Sequence, residues 1–163
     1  MNGKILILTG SKSDLPVIEK CTALLKEFEI EYELHISSAH RTPAYTKELV
    51  TRAEADGFDI IIAAAGMAAH LPGVCASYTV LPVIGIPVDS GSLNGVDALY
   101  SIAQMPPGVP VGCMGIGSAG AKNSAVYAAR LLALKYKNLH TRLKDYSSRQ
   151  EKKIKEQDAA LSS

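Results

Sequence analysis

Short, uninterrupted apolar runs alternate with amphipathic helical patterns along this chain, and this alternation constrains the fold more than any other feature. The first run, residues 4–9, has no polar face, and after it Ile18, Cys21 and Leu25 recur at helical spacing. Runs without a polar face suit strands that are buried on both sides of a parallel sheet. Strands that alternate with helices are joined by right-handed crossovers, which predicts helices on both faces of the sheet.

The pattern as a whole predicts five parallel strands, at residues 4–9, 32–36, 59–65, 82–88 and 111–115. We expect the strand order 2-1-3-4-5 and the three-layer α/β architecture of flavodoxin-like folds. The 163 residues contain no internal repeat and no linker. They therefore indicate a single domain over 1–163, with 137–163 as a C-terminal helical extension.

The C-terminal extension has only a sparse apolar face. Leu139, Leu143 and Tyr146 lie on one helical stripe, and residues 147–163 are highly polar. Such a segment is either a solvated terminal helix or an arm that packs its stripe on a neighbouring subunit. We favour a helical arm, because so sparse a stripe is not expected to hold a helix in place alone.

Charge and cysteine content argue against several classes of function. The formal net charge of +1 provides no global field for DNA, RNA or an anionic membrane. The apolar run 4–8 is too short for a signal peptide or a membrane span. Cys21, Cys75 and Cys113 are scattered, which is typical of a reduced intracellular protein and argues against a zinc or redox site. We expect a cytoplasmic protein without nucleic-acid or membrane partners.

The segments that follow the strands form the candidate site, because ligands of open α/β sheets bind beyond the carboxyl ends of the strands. Four such segments are rich in glycine, hydroxyl or charged residues: 10–14, 37–43, 66–73 and 117–120. Parallel strands bring these segments to one edge of the sheet. The sequence therefore predicts one crevice that contains two histidines, an arginine and an aspartate.

Anion binding is one interpretation of residues 10–14, where small residues precede a helix N-terminus. The hydroxyls of Ser11 and Ser13 suit a phosphate, whereas Asp14 would repel it and instead caps the helix or accepts from sugar hydroxyls. An ordinary capped turn explains this segment equally well. Arg41, at the same edge, is suited to hold a phosphate or carboxylate through a forked pair of hydrogen bonds.

His40 is the strongest candidate for proton transfer, since imidazole gives and takes a proton near neutral pH. His70 lies in a glycine- and alanine-rich segment whose backbone can approach a ligand. A structural role is the alternative for His40 and for His70, but their shared position at the ligand edge favours a functional role. His35 and His140 are not predicted to lie at that edge, so we expect them to be structural or surface residues. Carboxylate pairs, nucleophile triads and metal-ligand spacings are missing from the sequence, which predicts proton transfer without a metal or redox cofactor.

Five segments occur in an order that is known from one enzyme family. They are Gly10-Ser-Lys-Ser-Asp14, Ser38-Ala-His-Arg-Thr-Pro43, Ala69-His-Leu-Pro-Gly73, Leu81-Pro-Val-Ile-Gly85 and Gln104-Met-Pro106. In this order they resemble the N5-carboxyaminoimidazole ribonucleotide mutases, the catalytic-subunit type of bacterial phosphoribosylaminoimidazole carboxylase. The resemblance extends from residue 4 to about residue 145, and the combination is far more specific than any one segment.

The resemblance implies a homo-octamer that acts in de novo purine biosynthesis. The implied reaction moves a carboxylate from the exocyclic nitrogen of an aminoimidazole ribonucleotide to C4, giving 4-carboxy-5-aminoimidazole ribonucleotide without ATP, biotin or metal. A separate ATP-dependent carboxyaminoimidazole ribonucleotide synthetase would supply the substrate. By matching position, His40 becomes the general acid/base, and residues 66–72 become the loop that closes over the base and carboxylate. The substrate, with its 5'-phosphate, is then expected to contact Ser11, Ser13, Asp14, Ser38, Arg41, Gly66, Ala69, His70 and Leu71.

One residue departs from the family pattern, and two alternative functions remain. The family loop usually reads Gly-Gly-Ala-Ala-His, whereas Met67 here replaces the second glycine. A methionine strains the turn if the position needs positive φ, and otherwise it narrows the pocket or packs beneath it. The alternatives are a direct carboxylase that uses CO2 and a non-catalytic binder of a phosphorylated ligand. The segment Ala69-His70-Leu71-Pro72 favours the mutase over the direct carboxylase.

Overall fold

The computed structural model describes residues 2–161 and confirms the predicted three-layer, flavodoxin-like α/β fold. The strands are β1 (Lys4–Thr9), β2 (Glu31–Ile36), β3 (Ile60–Gly66), β4 (Val83–Val88) and β5 (Gly112–Cys113). The helices are α1 (Leu15–Glu27), α2 (Pro43–Arg52), α3 (Leu71–Ala76), α4 (Val96–Ala103), α5 (Gly117–Ala133) and α6 (Asn138–Leu161), and a short 3-10 helix spans Lys12–Asp14. All paired strands are parallel, in the order β2-β1-β3-β4-β5.

The central strands are apolar throughout because successive side chains enter different layers. Ile5 and Ile7 of β1 pack with α1, α5 and the start of α6, whereas Leu6 and Leu8 pack with α2, α3 and α4. All of these β1 side chains are buried. A strand with no solvent-facing side needs no polar residue, which explains the runs seen in the sequence.

The edge strand β5 is shorter than the predicted span 111–115. It pairs with β4 only at Gly112 and Cys113. Beyond that point the backbone lies against α5, since a Cβ atom added to Gly120 would lie 1.5 Å from the carbonyl oxygen of Gly115. The chain therefore passes directly from β5 into close contact with the first turn of α5.

The prediction that the C-terminal stripe packs on a neighbouring subunit is wrong. Leu139 is buried in this chain's own core, and Leu143 and Tyr146 pack against that core. The rings of Tyr146 and Phe28 meet edge to face, with centroids 5.5 Å apart. Ion pairs of Arg142 with Glu29 and of Arg149 with Glu27 also join α6 to the end of α1 and the turn after it. Beyond this contact α6 is exposed, and no helix within residues 2–161 is long and apolar enough to cross a membrane.

Candidate active site

A cleft of about 580 Å³ lies at the carboxyl edge of the sheet, where the segments after β1, β2, β3 and β4 meet. Its lining residues are Gly10, Ser11, Ser13, Asp14, Ser38, Ala39, His40, Arg41, Ala65, Gly66, Met67, Ala68, His70, Leu71 and Ser90. Every predicted site residue lines the cleft except Ala69, which is only 2% exposed. The segment 117–120, expected in the same crevice, does not line it.

Hydroxyl groups surround a buried carboxylate in the segment after β1. Asp14 is buried, and its Oδ2 accepts a hydrogen bond from the Thr9 hydroxyl at 3.1 Å. The Ser13 hydroxyl donates to Ser11 Oγ at 2.9 Å and lies 3.2 Å from Asp14 Oδ1. The capping role considered for Asp14 is wrong: Ser11 Oγ accepts from the Ser13 backbone, and Asp14 makes no side-chain capping bond. This carboxylate is therefore suited to accept hydrogen bonds from hydroxyls of a ligand.

Arg41 joins the segments that follow β1 and β2. Its Nη2 donates to the carbonyl oxygen of Gly10 at 2.6 Å, and its Nε lies 3.4 Å from Ser38 Oγ. The backbone N–H of Arg41 also donates to Ser38 Oγ, at 3.2 Å. These bonds hold the guanidinium at the rim of the cleft and leave further N–H donors for an anion.

His40 and His70 contact each other directly, although they come from different loops. His40 Nε2 lies 2.7 Å from His70 Nδ1, and the ring planes cross at 73°. A neutral imidazole has one N–H group, so one ring donates and the other accepts. Two protons on the facing nitrogens would collide at this distance, so only one of these two nitrogens carries a proton. Both rings are exposed, which leaves them accessible to a ligand.

Ser90 lines the cleft from a segment that the sequence analysis did not place there. It follows β4, and the rule that placed the other segments at this edge applies equally to residues 89–92. A Cβ atom added to Gly66 would lie 1.8 Å from Ser90 Oγ. Glycine at the end of β3 is therefore what lets the serine approach this closely.

The cysteines take no part in the cleft. Cys21 and Cys75 are fully buried, and burial raises the pKa of each thiol to about 12. Both thiols therefore stay protonated at neutral pH and act as packing residues. Among residues 2–161, no group of three or more His, Cys, Asp or Glu side chains is placed to hold a metal ion.

Comparison with known proteins identifies the family. The sequence model of a family described as AIR carboxylase matches residues 4–153. The chain belongs to the AIR carboxylase family. The predicted resemblance is thereby confirmed, and so is the conclusion that the chain is an enzyme.

Curated relatives from distant organisms agree with the AIR carboxylase assignment. A Pyrococcus abyssi protein named N5-carboxyaminoimidazole ribonucleotide mutase is 50% identical over 143 residues, which is 88% of this chain and 81% of that protein. An Escherichia coli protein of the same name is 44% identical over 153 residues, covering 94% of this chain and 90% of its own length.

Solved structures support the same fold over the whole chain. The crystal structure of Treponema denticola PurE is 33% identical, has a TM-score of 0.87, and the match covers 97% of this chain and 98% of that one. A Treponema denticola PurE2 variant is also 33% identical, with a TM-score of 0.89 and 99% coverage of both chains. The architecture of this AIR carboxylase family member is therefore shared by experimental structures.

Met67, the departure from the usual pattern of the AIR carboxylase family, lies in a backbone conformation that favours glycine. Met67 has a φ of 55°, in the left-handed region. A residue with a Cβ atom is disfavoured there by about 1 to 2 kcal/mol. The structure therefore shows that Met67 strains the turn, as expected for a position with positive φ. The strained turn is held by the Ala69 N–H, which donates to the Met67 carbonyl oxygen at 2.8 Å.

Proposed function

We propose that this cleft converts N5-carboxyaminoimidazole ribonucleotide into 4-carboxy-5-aminoimidazole ribonucleotide, with His40 as the general acid/base. The reaction needs no ATP and belongs to de novo purine biosynthesis. The observation that carries the proposal is the His40–His70 contact in a cleft lined by anion-binding groups. The names of the curated relatives supply the substrate class.

The segment after β1 and Arg41 bind the ribose phosphate in this proposal. Ser11 and Ser13 offer hydroxyl donors, and Arg41 offers a positive charge that Ser38 and Gly10 hold at the rim. Asp14 is buried and negatively charged, so it accepts from sugar hydroxyls and does not face the phosphate.

The loop after β3 binds the aminoimidazole and its carboxylate. Gly66 and His70 line the cleft on this side, and the buried side chain of Leu71 forms an apolar floor for the ring. Ala69 was expected to contact the substrate, and we now assign it a supporting role because it lies outside the lining.

His40 acts first as an acid. Its Nε2 is engaged by His70, whereas its Nδ1 makes no hydrogen bond within residues 2–161, so we assign Nδ1 to the substrate. Protonated His40 donates to the exocyclic nitrogen of the carbamate. The bond from that nitrogen to the carboxylate carbon breaks, its electron pair remains on nitrogen, and CO2 is released beside the free amine.

His40 then acts as a base. C4 of the electron-rich imidazole attacks the carbon of CO2 and forms the new carbon–carbon bond. Neutral His40 removes the C4 proton, which restores the aromatic ring and returns His40 to its protonated form. The proton and CO2 that are released are both recovered, so the sequence is a net isomerisation. A site that excludes water keeps the effective concentration of CO2 high between the two steps.

The assembly and context of the enzyme form a second part of the proposal. We propose that residues 1–163 form one catalytic domain with 137–163 as its extension, and that the chain assembles as a homo-octamer in the cytoplasm. Large exposed apolar side chains offer contact surfaces for assembly, among them Val80, Tyr100 and Leu134. An ATP-dependent synthetase supplies the carbamate. Light scattering tests the octamer against a chain mass of 17.3 kDa.

Two parallel assays without ATP test the reaction. One supplies N5-carboxyaminoimidazole ribonucleotide at low bicarbonate, and the other supplies aminoimidazole ribonucleotide with CO2. Rapid formation of the C4 carboxylate in the first assay supports the mutase. Efficient turnover only in the second identifies a direct carboxylase, and silence in both indicates a non-catalytic binder; either result overturns the proposal.

A further inference from the structure

We infer that the Met67 side chain is a cover that adds to the retention of CO2 in the cleft and so tightens the coupling between decarboxylation and recarboxylation. The inference rests on the proposed function. It assigns to Met67 a role in partitioning CO2 between capture and escape, which is separate from the proton transfer assigned to His40.

The position of Met67 suits a cover. Its side chain lines the same cleft as His40 and His70 and is 59% exposed, so it lies at the mouth. A Cβ atom added to Gly91 would lie 3.4 Å from Met67 Cγ, which places the methionine against the loop after β4. Met67 therefore bridges two loops that border the cleft.

The backbone of Met67 is strained in a way that the turn alone does not require. Glycine adopts a φ of 55° without penalty and would preserve the turn, in which the His70 N–H donates to the Ala68 carbonyl oxygen at 2.8 Å. A side chain kept at such a position, in a ligand cleft, indicates that the side chain itself has a use.

The chemistry of CO2 explains what that use is. CO2 is small, uncharged and without hydrogen-bond donors, so hydroxyl and guanidinium groups hold it poorly against escape into water. Met67 and Leu71 are the lining residues with an aliphatic side chain larger than alanine, and Leu71 is buried in the floor. A flexible, polarizable thioether at the mouth adapts to the ligand beneath it and excludes water from above.

Retention of an isotopic label measures this role. The substrate carries ¹³C in its carbamate, the solution contains unlabelled bicarbonate, and carbonic anhydrase equilibrates any CO2 that escapes. After subtraction of uncatalysed carbamate loss, we expect wild-type product to keep the label. In Met67→Gly, more CO2 should escape in each turnover, which is measured as free aminoimidazole ribonucleotide plus unlabelled product. We expect this escape to rise about tenfold, the lower end of the change in discrimination caused by the loss of one apolar group from a pocket.

Two further variants distinguish the loss of the cover from a general effect on the fold. Met67→Leu restores apolar bulk and should recover most of the label retention that Met67→Gly loses. Leu93→Ala truncates an apolar side chain that is 60% exposed but lies outside the cleft lining, and it should keep the label as the wild type does. Because glycine relieves the strain at this φ, the thermal midpoint of Met67→Gly should not fall.

The outcomes distinguish this inference from the proposed function. If the wild type does not convert N5-carboxyaminoimidazole ribonucleotide, the proposed function fails and the inference fails with it. If the wild type converts it and Met67→Gly keeps the label equally well, only the inference is overturned. Loss of label in Leu93→Ala to the same extent, or failure of Met67→Gly to consume substrate at all, would also contradict a cover that acts only on CO2.

Discussion

Gly66 and Ser90 face each other at the end of the sheet, and a methyl group added to Gly66 tests how closely they approach. The new Cβ atom would lie 1.8 Å from Ser90 Oγ, 3.1 Å from Ser90 Cβ and 3.4 Å from the Val88 carbonyl oxygen. Rotation of the hydroxyl relieves the first contact, but the second is relieved only by a backbone shift of a few tenths of an ångström. Overpacking of this kind should lower the free energy of unfolding by about 1 to 3 kcal/mol.

A double-mutant cycle isolates that contact. Ser90→Gly removes both crowded atoms and by itself should lower the free energy of unfolding by roughly 0.5 to 1 kcal/mol through chain entropy. In that background Gly66→Ala meets only an ordinary contact, so the coupling energy should be about 1 to 2 kcal/mol. Urea unfolding followed by far-ultraviolet circular dichroism measures it, at one fixed protein concentration because association stabilises the folded state.

A matched glycine provides the control. A Cβ atom added to Gly10, at the end of β1 in the same cleft, would meet no atom within 4 Å. Gly10→Ala should therefore change the free energy of unfolding by less than about 0.5 kcal/mol. If Gly66→Ala has the same effect in both Ser90 backgrounds, or if Gly10→Ala destabilises equally, the steric reasoning is refuted.

Three further predictions concern the ion pair below the sheet, the buried thiols and the cleft. Asp59→Ala removes a carboxylate that accepts from a backbone N–H and a tyrosine hydroxyl, so urea unfolding should show a loss of about 2 to 3 kcal/mol. Lys135→Ala removes only the exposed partner of this carboxylate and should cost much less. Burial raises the pKa of Cys21 and Cys75 from 9.0 to about 12, so the folded chain keeps thiol protons that the unfolded chain releases. Their contribution to the free energy of unfolding should therefore decline as pH rises from 9 towards 12. Mass spectrometry should show that iodoacetamide labels both thiols only after the chain unfolds. Arg41→Lys loses the forked donor geometry and should raise KM about tenfold in steady-state assays while kcat changes little.

The arrangement of the sheet and the main parts of the cleft follow from sequence pattern for a physical reason. Parallel strands share one direction, so residues that directly follow different strands meet at one edge. This rule placed His40 and His70 in a common cleft although they are separated along the chain, and it applies to Ser90 as well. The segment that contains Ser90 has no histidine or arginine, so its sequence alone did not indicate a ligand site.

Other features depend on packing that local pattern does not encode. The stripe of α6 shows which face is apolar, but it does not show whether that face meets this chain or another. Ala69 belongs to a loop expected to contact a ligand, yet it is buried while both of its neighbours are exposed. The close contact between Gly115 and Gly120, just beyond β5, likewise cannot be read from the local pattern.

The central claim is that His40 carries the proton in both halves of a carboxylate transfer. The most direct measurement compares the wild type with His40→Ala for formation of the C4 carboxylate from N5-carboxyaminoimidazole ribonucleotide without ATP, with substrate binding followed by calorimetry. We predict a rate loss of about 10²- to 10⁴-fold, as expected when a general acid/base is removed, with binding largely retained. A variant that keeps its rate within a few-fold of the wild type would contradict the assignment of His40 and the mechanism built on it.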